Sequence, residues 1–392
     1  MNPQMQYRTD PKSGNQLSAL GFGWMRYPKN AAQCDELVTS AVKAGINYFD
    51  TAHMYLGSEA SLGGILKKHG LREQVFIADK LPHSRCKSRG DIEKLFAESL
   101  ERLQTDYIDY YLIHNIGSLE AWKRLEGLGI QEWIAKQKQA GRIRWIGFSF
   151  HGKSVDFVPL LDAYDWEFCQ IQYNYMNENY QAGTAGLQAI HARGMAAVIM
   201  EPLLGGKLAQ KLPQEAIKQF DQAVPGRSPA AWGLKWLWDK PEVTVVLSGM
   251  GTMEQLTENL ATAVSSPSGC LTDAERAVYP KAYDAIAAAY KVPCTGCNYC
   301  MPCPKGVNIP GCFGAYNMSY VVGFTAGVGL YMNSTLGLGT ARSAPGNCTQ
   351  CGACVKKCPQ EIDIPGRLKD VQRRLEPLPM RLGLKIAKKF IG

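Results

Sequence analysis

Apolar residues along the first two-thirds of the chain fall into short runs separated by longer segments of helical period, and this beat repeats eight times. The runs at residues 17–23, 46–51, 75–80, 107–114, 143–149, 168–174, 195–203 and 243–249 read as buried strands. The intervening segments read as helices. Residues 91–103 (DIEKLFAESLERL) place Ile92, Leu95, Phe96, Ser99, Leu100 and Leu103 on one face, with acids at the start and Arg102 near the end, complementing the helix dipole. Residues 119–140 and 228–238 read in the same way. Eight strand–helix units in about 250 residues predict an α/β fold, the parallel (β/α)8 TIM barrel. An open doubly wound sheet competes with it, but no G-x-G-x-x-G follows the first strand.

Beyond the barrel, residues 271–290 read as a helix with Thr272 and Glu275 as a capping box and Pro280 as a kink or break. No charged residue lies between Lys305 and Arg342. Asn308, Asn317, Ser319, Asn333, Ser334 and repeated glycines interrupt that stretch, which favours packing against the cysteine region and barrel over a membrane span. The organisation expected is a barrel over 1–265, a connecting helix over 266–290, a cysteine-rich domain over 291–366 and a basic amphipathic tail over 367–392. The 392 residues carry a net charge of +8, yet residues 366–392 hold eight Lys or Arg against two acids, a net +6. The excess belongs to the tail, which argues against a nucleic-acid partner. Anionic membranes or acidic partners are the contacts such a tail could make, although most basic amphipathic ends are solvated helices.

Eight of the thirteen cysteines form two runs: Cys294, Cys297, Cys300 and Cys303 before Pro304, and Cys348, Cys351, Cys354 and Cys358 before Pro359. The second is C-x2-C-x2-C-x3-C-P, in which three thiolates bind one iron–sulfur cubane and the fourth serves another. The first run is one residue shorter before its last cysteine. CPKGVNIP (303–310) and CPQEIDIP (358–365) align on their prolines, so the runs look duplicated. On that pattern Cys294, Cys297, Cys300 and Cys358 hold one [4Fe-4S] cluster, and Cys348, Cys351, Cys354 and Cys303 the other. All-thiolate zinc sites usually leave longer gaps between C-x2-C halves, and a disulfide framework needs an oxidising compartment. MNPQMQYRTD has no apolar secretory run, so a reducing cytoplasm is expected.

In a barrel of this class chemistry sits at the C-terminal ends of the strands. Asp50 and Tyr55 follow the second strand, Lys80 ends the third and His114 the fourth. These are the parts of a carbonyl reductase: a phenol acid, an ammonium that favours its anion, a carboxylate that holds the ammonium, and an imidazole that donates to the substrate oxygen. NYFDTAHMYLGSE (47–59), ADKL (78–81), TDYIDYYLIH (105–114), GRIRWIGFS (141–149) and the late SGM with Glu258 and Asn259 resemble the aldo/keto reductase family. The tail resembles the ferredoxin-type extension of a subset of it. The resemblance implies Tyr55 as general acid/base, Lys80 as its pKa depressor, Asp50 as the partner of Lys80, and His114 as the group orienting the carbonyl.

The same resemblance implies a nicotinamide cofactor. Ser149 and Gln170 match positions that bind the carboxamide; Pro202, Leu203 and Gly205 match the pyrophosphate turn; Ser248, Gly249, Met250, Gln255, Glu258 and Asn259 match the adenosine end. Three positions depart from the family pattern. Phe150 replaces an asparagine, Met200 an aromatic and Gln255 an arginine, the last weakening the case for NADPH over NADH. His53, His83, Asn115, His151 and Trp24 are further rim residues that could line the substrate pocket. A small-molecule carbonyl is the expected substrate, and a ferredoxin or other redox protein the expected partner of the clusters. Hydride transfer moves two electrons and a cubane passes one, and no flavin fingerprint bridges them. Three readings follow: clusters that exchange electrons with a partner or redox-active substrate, clusters that staple a small domain, or an electron-transfer adaptor on an inactive barrel. The intact tetrad argues against the third. The long gap from Cys303 to Cys348 resembles helical ferredoxin domains and favours the first.

Overall fold

The computed structural model describes residues 5–210, 212–336 and 343–376; the tail beyond 376 lies outside the described residues. Contacts divide the chain into two compact units, one of Met1–Leu203 with Ala230–Asp273, the other of Leu204–Pro229 with Ala274–Gly392.

The first unit is a closed barrel of eight parallel strands. After an antiparallel hairpin of β1 (Tyr7–Thr9) and β2 (Gln16–Ser18), the barrel strands are β3 (Leu20–Gly23), β4 (Tyr48–Asp50), β5 (Phe76–Leu81), β6 (Ile108–Ile116), β7 (Ile143–Phe150), β8 (Phe168–Gln172), β9 (Ala196–Met200) and β10 (Val245–Ser248). They pair in chain order and β10 closes on β3. All eight predicted strands are present, each shorter or shifted by a few residues at its ends. The hairpin is an addition that the apolar pattern merged with the first strand. Its turn reaches Tyr110 on β6, whose hydroxyl donates to Asp10 at 2.9 Å. The barrel interior is filled by Leu17, Tyr48, Ala78, Tyr110, Leu112, Phe168, Ala196, Val198, Val245 and Leu247. It is therefore a packed core rather than a pore.

The helices follow the sequence expectation with two instructive breaks. The helix over Arg89–Leu103 starts with a capping box between Ser88 and Asp91. Residues 119–140 form two helices, Leu119–Glu126 and Ile130–Gln139, separated where Gly129 takes φ of 74°. Residues 271–290 also divide, into Asp273–Arg276 and Val278–Ala289. Pro280 lies in the first turn of the second helix, where its missing N–H is not needed. Glu275 pairs with Arg227.

In the second unit the two cysteine runs are structural repeats. The residues flanking the second cysteine adopt left-handed backbone in both, Gly296 and Asn298 in the first run and Gln350 and Gly352 in the second. Equivalent turns follow: Met301 N–H donates to Asn298 O at 2.9 Å and Val355 N–H to Gly352 O at 3.1 Å. Each run then enters a capped helix. Asn308 accepts from Gly311 N–H to start Ile309–Val321, and Asp363 accepts from Gly366 N–H to start Ile364–Leu375, with proline in each first turn. Val307, Ile309, Ile362 and Ile364 enter one core with Cys312, Phe313, Tyr331, Leu368 and Val371. The uncharged stretch supplies the helices Ile309–Val321 and Phe324–Tyr331, interrupted at Gly323 with φ of 141°. Among the described residues no helix is long and apolar enough to cross a membrane.

Candidate active site and cluster-binding region

The ends of β4, β5 and β6 bring the four tetrad residues together. Asp50 is the last residue of β4, and its register partner on β5 is Ala78, two residues before Lys80. Lys80 donates through Nζ to Asp50 Oδ2 and to the Thr51 carbonyl, both at 2.6 Å. The two side chains are only 1 % and 5 % exposed. A tight turn follows, with Tyr55 N–H donating to Ala52 O at 2.9 Å, and it carries the Tyr55 ring to 5.1 Å from Lys80 Nζ. His114 lies edge-on to Tyr55, with ring centroids 5.7 Å apart. The pairing of β6 with β7 shifts register between Ile113 and Ile116, the stretch that carries His114.

Electrostatics set the protonation states. Burial raises the Asp50 carboxyl, while the Lys80 ammonium and the Gln170 amide act in the opposite direction. Burial also holds His114 well below the usual imidazole range, and the Lys80 charge adds to the effect. His114 is therefore neutral at neutral pH and keeps one N–H to donate.

The positions expected to hold a nicotinamide cluster at the ends of the next strands. Ser149 on β7 and Gln170 on β8 are register partners. Gln170 Nε2 points at Met200 Sδ, 3.6 Å away, while its Oε1 is buried without a hydrogen-bond partner. That orphaned acceptor fits a primary amide such as a nicotinamide carboxamide, which would supply the missing N–H. Ser248 ends β10 and accepts from Asn259 Nδ2 at 3.0 Å; Gln255 folds back so that its Oε1 accepts from Gly251 N–H at 2.8 Å. Gly249 and Met250 follow Ser248, and Glu258 lies one residue before Asn259 in the helix Met253–Val264. Pro202 and Leu203 end the first segment of the barrel unit, and Gly205, with φ of 66°, belongs to the second unit.

Phe150 packs edge-to-face on Phe157 at 4.8 Å, in the helical layer. Trp24 is fully buried, stacks on Tyr27 at 5.7 Å and donates to Ser61 Oγ; it is a packing residue of the rim. His83 lies between the Asn115 carbonyl and Arg124, and burial, reinforced by Arg124, lowers it to about 4. His151 pairs with Gln181 at 3.0 Å and is also lowered to about 4, chiefly by burial.

A third pairing was not legible in the sequence: His53 Nε2 lies 2.9 Å from Glu98 Oε2, and Arg102 ties Glu98 to Glu59. The His53 half sits in a conspicuous segment, but Glu98 looks like any exposed helical acid. No local pattern joins two residues 45 positions apart.

In the second unit Cys294, Cys297, Cys300 and Cys358 line one cleft, together with Ile309, Phe313 and Ile364. Burial pushes the Cys300 thiol up to about 12, and its next contributors are Cys294, Cys297 and Cys358. Cys354 is raised by burial, and its neighbouring thiols are Cys348, Cys303 and Cys351. The fourth cysteine of each run thus lies with the first three of the other. Among the described residues no three His, Cys, Asp or Glu side chains converge on the position of a single ion. Thiols spread around an apolar-walled cleft suit a multi-iron body, whose positive metal centres would offset the repulsion among four thiolates.

Comparison with known proteins agrees with this geometry. The Aldo/keto reductase family pattern matches residues 19–267. The chain belongs to the aldo/keto reductase family. Residues 293–364 match a second pattern, the 4Fe-4S dicluster domain, so this aldo/keto reductase is an oxidoreductase with an iron–sulfur domain. It is 28% identical over 319 residues to Protein tas of Escherichia coli (strain K12), covering 65% of this chain and 92% of that protein. It is 29% identical over 288 residues to L-galactose dehydrogenase of Arabidopsis thaliana, covering 66% and 88%. Among solved structures, aldo-keto reductase AKR11C1 from Bacillus halodurans (holo form) superposes with a TM-score of 0.59 at 25% identity, over 74% of this chain and 99% of that one.

Proposed function

We propose that this aldo/keto reductase reduces a small aldehyde or ketone with NADPH, NADH being the alternative donor, and that its two [4Fe-4S] clusters exchange electrons with a partner protein or a redox-active substrate. The observation that carries the reading is the buried Lys80–Asp50 pair at 2.6 Å, with Tyr55 and His114 packed beside it. Bound nicotinamide would supply the hydride. Tyr55 gives its phenolic proton to the carbonyl oxygen, and the Lys80 ammonium stabilises the phenolate left behind. Asp50 keeps Lys80 charged and aimed. Neutral His114 donates to the same oxygen as negative charge develops there.

Ser149 and Gln170 would hold the carboxamide, and Pro202, Leu203 and Gly205 the pyrophosphate. Ser248, Gly249, Met250, Gln255, Glu258 and Asn259 would hold the adenosine end. Cys294, Cys297, Cys300 and Cys358 would ligate one cluster and Cys348, Cys351, Cys354 and Cys303 the other. The domain division at 265, 290 and 366 belongs to the same proposal. A second reading has its own support: Cys294, Cys300, Cys303, Cys348 and Cys358 pack against the core of their unit, as structural staples would. Turnover of a carbonyl panel with nicotinamide deuterated at C4 tests the hydride chemistry. Deuterium on the carbinol carbon is expected, and carbinol without it would refute direct hydride transfer.

A further inference from the structure

Along the chain, the turn expected to hold the cofactor pyrophosphate passes from one compact unit to the other. Leu203 closes a segment of the barrel unit, and Leu204 opens the segment Leu204–Pro229, which belongs with the cysteine domain. Leu204, Gly205 and Gly206 take φ of 47°, 66° and 89°. The two glycines adopt that backbone at little cost, but Leu204 does so only where its surroundings hold it.

The restraints come from the segment that leads into the cysteines. Directly after the turn, Lys207 places its Nζ 5.2 Å from the centre of the Tyr290 ring. Farther along, the helix Gln214–Ala223 packs on Val278–Ala289, where Phe220 meets Tyr279 edge-on at 6.1 Å, and Arg227 pairs with Glu275. Tyr290 caps the helix Val278–Ala289, its N–H donating to Ile286 O at 2.9 Å, and precedes Cys294 by four residues. Between them, the Lys291 and Val292 N–H groups donate to Asn317 Oδ1 at 3.1 and 3.0 Å. Val292 is wholly buried in the core against which Cys294 and Cys300 pack. Contacts therefore run without a gap from the turn to the first cysteine run, all inside one unit. A ligand at one end of such a chain and a cluster at the other favour the same arrangement, so their binding free energies are linked, and the linkage is reciprocal.

We propose that Tyr290 is a positioning residue that braces Lys207 and the turn before it, coupling dinucleotide binding to retention of the cluster on Cys294, Cys297 and Cys300. The inference rests on the reading of Pro202, Leu203 and Gly205 as the pyrophosphate turn.

The test follows anaerobic bleaching of the iron–sulfur absorbance of the full holoprotein by an iron chelator, with and without saturating NADP+ or NAD+, oxidised forms that cannot reduce the clusters. Calorimetric titration gives the dissociation constants of the same dinucleotides. In the wild type, bound dinucleotide should slow one phase of bleaching at least about fivefold. Tyr290→Leu cuts that protection to less than about twofold and weakens dinucleotide binding about two- to fivefold, the worth of one partly exposed cation–π contact. Tyr290→Phe, which keeps an aromatic face for the ammonium, retains both. Lys207→Met removes the same contact from its other side and predicts the same loss if the leucine variant does not load its clusters. A residue that only stabilised the unit would, when replaced, speed bleaching with and without dinucleotide alike and leave their ratio unchanged. That result, or dinucleotide that binds the wild type without slowing its bleaching, would overturn the inference and leave the reductase reading in place. Failure of both NADP+ and NAD+ to bind would refute the dinucleotide reading and the inference with it.

Discussion

Replacing Lys80 by Met tests whether the tetrad is built on a buried charge pair. Lys80 is 1 % exposed and Asp50 5 %, and Nζ donates to both Asp50 and the Thr51 carbonyl. Removing the ammonium leaves a carboxylate in a desolvated site, which costs about 3–5 kcal/mol. The loss should depend on pH. Burial already raises the Asp50 carboxyl, and without Lys80 it rises further, so the native variant retains a proton that the unfolded chain gives up near pH 3.9. Between those two values the folded form binds more protons, and stability falls as pH rises, with a slope of at most about 1.4 kcal/mol per pH unit. The deficit against wild type is thus larger at pH 8 than at pH 5. All eight tryptophans lie between Trp24 and Trp238 in the barrel unit, so anaerobic urea unfolding followed by their fluorescence reports on that unit. Asp50→Asn/Lys80→Met, with no charge left to bury, should recover at least about 2 kcal/mol at pH 8. A single variant that loses less than about 1 kcal/mol, or a double variant no more stable than the single, would refute the buried-pair account.

Other outcomes follow from the same reasoning. In Cys294/Cys297/Cys300→Ser protein, which should keep one cluster, adding Cys358→Ser leaves the reduced-state EPR signal unchanged and adding Cys303→Ser alters it; the reverse pattern would exclude crossed ligation. Asp79 is fully buried, and burial followed by the Glu59 charge raises its pKa well above the ordinary value. Asp79→Asn should therefore gain stability relative to wild type as pH rises from 5 to 8, which parallel urea titrations would show. Asn317 accepts from Lys291 and Val292 N–H and donates to Val292 O, just before Cys294. Asn317→Leu strands those groups at about 1–3 kcal/mol each, and its visible iron–sulfur absorbance should bleach faster in air than that of wild type.

Strand periodicity made the barrel legible, because strands buried on both faces read as continuous apolar runs. Helix breaks were legible only in part. Pro280 marked a division, whereas Gly129 inside 119–140 did not stand out among other glycines. The tetrad was visible because its members lie at the ends of three successive strands, Asp50 and Tyr55 at the first, Lys80 at the second and His114 at the third. Glu98, the partner of His53, was not, since pairing across helices leaves no local period. The cysteine spacing suggested crossed ligation, and the structure adds the left-handed positions at Gly296, Asn298, Gln350 and Gly352 that shape both runs alike. Only glycine and asparagine among these carry a recognisable local signal.

The role of Tyr55 is tested most directly by single-turnover mixing of enzyme and NADPH or NADH with a carbonyl that the wild type reduces, comparing wild type with Tyr55→Phe. The account predicts that the phenylalanine variant still binds cofactor and retains its cluster absorbance but oxidises the nicotinamide at least about 100-fold more slowly. Equal rates in the two proteins would contradict it.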